Sequence, residues 1–138
     1  DDRISGWRPG PTRCIGKEGM ALILVKTRYN SEGFRGIAND PSDRRAASEV
    51  GFAAANWQLR DMYFLPSSSE WLMIVEGDPE NMVAMEVSIM SSGAFEYAHC
   101  EVIVTPESFL TQTQRAGELA AKYDAPNRDE IDRVLLDD

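Results

Sequence analysis

The sequence predicts an α+β protein of the ferredoxin-like βαββαβ type. Its core is a four-stranded antiparallel sheet with helices on one face, followed by C-terminal helices. Three observations predict it. Four short apolar segments alternate with a period of two. Two helical segments with clear start signals follow the first and third of them. A Pro66-Ser67-Ser68-Ser69 turn separates the second and third. The chain has 138 residues, about one domain's worth. It divides into an extended arm over residues 1–19, a ferredoxin-like domain over 20–105 and a helical extension over 106–138.

The first strand is Met20 to Tyr29, ended by the turn cluster Asn30-Ser31-Glu32-Gly33. Phe34 to Ala38 is expected as a short helical turn. Ser42 or Asp43 then opens a helix to about Leu59, with Ala46, Val50, Ala53 and Trp57 as its apolar stripe. Leu59 to Leu65 is the second strand and Trp71 to Glu76 the third. Asp78-Pro79-Glu80 is a strong helix start, with an N-cap acid, Pro at N1 and a second acid in the first turn. That helix closes at Gly93 and is expected to bury Met82, Val83, Val87, Ile89 and Met90. Ala98 to Thr105 is the fourth strand. Thr105-Pro106-Glu107 starts a helix to about Tyr123, with Phe109, Leu110, Ala116 and Ala120 inward. Asn127 and Glu130 form a capping box for a last helix carrying Ile131, Val134, Leu135 and Leu136.

Composition excludes several functions. The net charge is −9 and no strong basic run occurs, so nucleic acid is not an expected partner. No apolar run reaches the length of a membrane span. Two cysteines, Cys14 and Cys100, make no disulfide framework and fit unpaired thiols in a reducing, cytoplasmic setting. Nucleotide-binding and hydrolase motifs are absent, and no cofactor is expected.

Strand alternation sorts the residues into two faces. One is nearly all apolar: Ala21, Ile23, Val25, Asp61, Tyr63, Leu65, Trp71, Met73, Val75, Ala98, Cys100 and Val102. It is expected under the helices. The other mixes apolar and ionisable residues. Here Leu22, Leu24, Phe64, Ile74 and Ile103 are the expected interface with a second subunit. Lys26, Arg28, Glu76, Tyr97 and His99 are the expected ligand-binding residues of the cavity between two sheets. In an enzyme, His99 would be the base and Glu101, two residues on, would orient it. The spacing of His99, Glu101 and Glu76 does not specify a metal, and none is expected. In the arm, Arg3, Arg8, Arg13 and Lys17 oppose three acids, and Trp7 and Ile15 are apolar anchors for a neighbouring acidic chain.

The stretch from Met20 to Phe109 resembles the GYD-domain family of the dimeric α+β barrel superfamily. The resemblance rests on ALILVKTRYNSEGFRGI, the following helix, the hairpin YFLPSSSEWLMIVEGDPENMVAMEVSIMSSG and the fourth strand running into Thr105-Pro106-Glu107-Ser108-Phe109. The naming motif falls at Ser69-Glu70-Trp71-Leu72, with Ser for the Gly, Trp for the Tyr and Leu for the Asp. The resemblance implies a dimeric α+β barrel or larger ring and supplies no reaction. The expected function is therefore a homo-oligomeric assembly or binding protein whose terminal arms contact neighbouring subunits. The alternatives are a small-molecule enzyme, of the cofactor-free oxygenase or isomerase type, or a ligand sensor, either using the barrel cavity around His99.

Overall fold

The computed structural model describes residues 19–127. The expected arm anchors Trp7 and Ile15, Cys14, and the last helix with Ile131 to Leu136 lie outside them. Four strands, β1 (Ala21–Tyr29), β2 (Gln58–Leu65), β3 (Glu70–Gly77) and β4 (Phe95–Ile103), form one sheet in the order β2-β3-β1-β4. Every neighbouring pair is antiparallel. The helices are α1 (Ser31–Asn39), α2 (Arg44–Ala53), α3 (Met82–Met90) and α4 (Pro106–Lys122). The chain is an α+β protein of the ferredoxin-like type.

Local chemistry sets the helix starts. Asn30 caps α1: its side-chain oxygen accepts from the Gly33 amide at 3.0 Å, and its Nδ2 donates to the Gly93 carbonyl at 2.7 Å. The segment expected as a turn is thus the cap of a full helix. Asp43 caps α2 through the Ala46 amide at 3.1 Å. Asp78 accepts from the Glu80 amide and opens a 3-10 turn over Pro79–Asn81, which leads into α3. Thr105 caps α4 through the Ser108 amide at 3.1 Å, with Pro106 in the first turn, where no amide donor is needed.

The core lies between the sheet and the helices α2 and α3. Ile23 and Val25 of β1 and Met73 and Val75 of β3 meet Phe52 of α2 and Met85 of α3. Trp57, just before β2, completes it. Its ring stacks on Phe52 with centroids 6.0 Å apart, and its Nε1 donates to the Asp78 carbonyl at 3.0 Å. Gly77 ends β3 directly beneath this indole, and a Cβ there would overlap the Trp57 ring.

Three expectations are corrected. First, α2 ends at Ala53, and its buried residue is Phe52, while Val50 is exposed. The bulky ring that stacks on Trp57 sets the helix phase, not the small Ala and Val stripe. A turn through Asn56, at φ 59°, then enters β2. Second, α3 buries Met85 and exposes Val83 (72%) and Val87 (62%). A helix that is apolar on nearly every side, broken only by Glu86 and Ser88, carries little phase in its sequence. Third, the register of β2 shifts between Leu59 and Asp61. The extra residue of this bulge reverses the alternation beyond it. Phe64 therefore pairs with Trp71 on the helix side of the sheet, edge to face at 5.0 Å, rather than on the face expected to meet a second subunit. Met62 joins it there. Asp61, Tyr63 and Leu65 take the opposite face.

Candidate functional site

The helix-free face of the sheet is built from four cross-strand rows. Lys26 of β1 stands between Leu72 of β3 and His99 of β4, and Arg28 between Glu70 and Tyr97. Leu24 stands between Ile74 and Glu101, and Leu22 between Glu76 and Ile103. Directly opposed residues lie within side-chain reach. The ligand-binding residues expected from the sequence, Lys26, Arg28, Glu76, Tyr97 and His99, thus share one face. So do the expected interface residues Leu22, Leu24, Ile74 and Ile103. Leu22 is already buried within the protomer.

A residue that sequence reasoning passed over is the hub of this face. Glu70 Oε2 accepts from the Tyr97 hydroxyl at 2.5 Å and lies 3.5 Å from Lys26 Nζ. The Tyr97 hydrogen bond, more than the Lys26 charge, holds the Glu70 carboxyl below its ordinary value. The same bond, acting on the other partner, raises the Tyr97 phenol. The His99 ring stacks on Tyr97, centroids 4.9 Å apart at 15°. That stack, rather than a bond to Glu101, is the contact the fold gives His99. Away from this hub, Arg60 Nη2 meets Glu76 Oε2 at 3.3 Å, and Arg28 meets Glu96 at 3.6 Å. Only the position of Glu70 opposite Arg28 and next to Tyr97, visible once the strand register is known, would have revealed the hub.

The other side of the sheet holds a cavity of about 200 Å³ between α2, α3 and the strands. Met62, Met73 and Met85, which looked scattered along the sequence, converge on it, together with Phe52, Trp71 and Phe95. Thr27, Arg44, Ser48, Ser88 and Ser92 supply polar groups. None of the residues singled out for the His99 site lines it.

Cys100 offers no nucleophile. Burial, reinforced by the neighbouring Glu86 carboxylate, pushes its thiol up to about 12. Glu86 also accepts from the Cys100 amide at 2.7 Å, which occupies a donor on the outer strand of the sheet. Among the described residues, no group of three or more His, Cys, Asp or Glu is placed to hold a metal ion. No described helix is long and apolar enough to cross a membrane.

Fold and site together define a class: a ferredoxin-like α+β protein with a helix-free sheet face carrying both apolar and ionisable side chains. Comparison with family models, curated proteins and solved structures gives no match for this chain.

Proposed function

We propose that this chain is a self-associating α+β protein whose copies meet through the helix-free sheet face and through α4. The observation that carries the reading is the exposure of α4. It has 17 residues, and Ser108 is the residue it buries. Phe109 (62%) and Leu110 (58%), expected from the sequence to face inward, are instead exposed, as are Leu119 and Tyr123. A helix of this length is marginal alone in water and draws its stability from packing. Phe109, Thr113, Ala116, Ala120 and Tyr123 follow one another at alternating steps of four and three, so they share one side of the helix. Small residues in the middle of that stripe permit close approach.

The sheet residues Leu24, Leu72 and Ile74 add apolar surface that a second copy would cover. The resemblance to the GYD-domain family points the same way. With two sheets face to face in a dimeric barrel, Lys26, Glu70, Tyr97 and His99 line the space between them, where a polar ligand would meet them.

The test is size-exclusion chromatography with light scattering on the chain and on a Phe109→Glu/Leu110→Glu variant. The reading expects an oligomer whose mass falls in the variant while the circular dichroism of the sheet persists. An unchanged mass in the variant would remove α4 from the interface.

A further inference from the structure

The cavity beneath α2 and α3 has a lining whose chemistry selects a ligand. Its walls are aromatic rings and thioethers: Phe52, Trp71 and Phe95 with Met62, Met73 and Met85. Flat apolar faces and polarizable, adaptable sulfurs suit a planar aromatic guest. Its volume, about 200 Å³, exceeds the ~150 Å³ that accommodates a single benzene ring. One ring with substituents, or two fused rings, fills it.

Beside hydroxyls that can donate or accept, the lining holds two nitrogens that only donate. Trp71 Nε1 is buried and has no hydrogen-bond partner. Arg44 Nε is likewise buried without a partner, although its Nη1 donates to the Ser42 hydroxyl at 3.0 Å. Both nitrogens are donors only, and buried donors call for an acceptor. Arg44 brings a permanent positive charge, and the lining contains no Asp or Glu. An acceptor bearing negative charge satisfies both.

We propose that this cavity is a binding site for a small aromatic anion, of one or two rings, whose carboxylate or phenolate oxygen accepts from Trp71 and Arg44. The site lies on the opposite side of the sheet from the Lys26–His99 face.

The test is isothermal titration of the full chain with 2-naphthoate, with naphthalene and cyclohexanecarboxylate as controls. 2-Naphthoate is expected to bind one per chain, and cyclohexanecarboxylate to bind more weakly. Trp71→Phe keeps a ring and removes the donor. It is expected to weaken 2-naphthoate about tenfold more than it weakens naphthalene, the scale of a hydrogen bond to a charged group. Arg44→Met should act in the same direction, and Ser48→Phe, which fills the cavity, should abolish binding of both ring systems. If Trp71→Phe does not fold, the Arg44→Met comparison of naphthoate with naphthalene decides. Absence of 2-naphthoate binding at millimolar concentration would overturn the proposal. So would binding that survives Ser48→Phe, or a naphthoate affinity that neither Trp71→Phe nor Arg44→Met changes.

Discussion

Replacing Gly77 by Ala tests how the core is closed. The added Cβ would overlap the Trp57 ring, which is 2% exposed and held between Phe52 and the Asp78 carbonyl. Moving the indole aside would disturb its stack on Phe52 and its bond to the Asp78 carbonyl. Overpacking of this kind costs about 1–3 kcal/mol. Displacing the indole also loosens its hydrogen bond to Asp78, worth about 1 kcal/mol. Ala reduces the freedom of the unfolded chain relative to Gly and returns about 0.5 kcal/mol. The expected net loss is about 1.5–3.5 kcal/mol. Urea unfolding followed by far-ultraviolet circular dichroism should show it as a lowered midpoint with an unchanged slope. In a Trp57→Leu background the same substitution should cost less than about 1 kcal/mol, because the clash partner is gone. A Gly77→Ala chain as stable as the parent, or an equal cost in both backgrounds, would refute the reasoning.

Four further outcomes follow from the geometry. Glu70 has a lowered folded pKa, so its contribution is present above the ordinary carboxylate range and lost as pH falls through the lowered value; Glu70→Gln should flatten the acid limb of a stability profile. Tyr97 has a raised folded pKa, so its contribution is present below the ordinary phenol value and lost as pH rises through the raised one; Tyr97→Phe should remove a late-ionising phenol from the ultraviolet titration. Thr105→Ala removes the cap of α4 and should cost about 1 kcal/mol, read as lost helical dichroism at moderate temperature. Cys100 should resist alkylation at neutral pH until denaturant exposes it, followed by mass spectrometry of its peptide.

The parts of the fold that were legible are those where a period runs unbroken. β1 and β3 alternate throughout and β4 does so from Tyr97 onward, past an irregularity at Glu96, so the sequence places Lys26, Tyr97 and His99 on one face, and the register agrees. β2 was misread because a bulge between Leu59 and Asp61 is a backbone event with no residue signature of its own. That single insertion puts Phe64 and Met62 on the helix side of the sheet. The phase of α2 was hidden because one large ring, Phe52, outweighs several small apolar residues in burial. The Glu70 hub and the cavity were illegible for a shared reason: each is assembled from distant strands and helices. Only the sheet register brings Glu70 to Tyr97, or Met62 to Met73.

Self-association is the central claim, and native mass spectrometry of the untreated chain tests it most directly. The account predicts a mass at a multiple of 15.4 kDa, two or greater, across micromolar concentrations. A single species at 15.4 kDa throughout would contradict it and leave the apolar surface of α4 without a role.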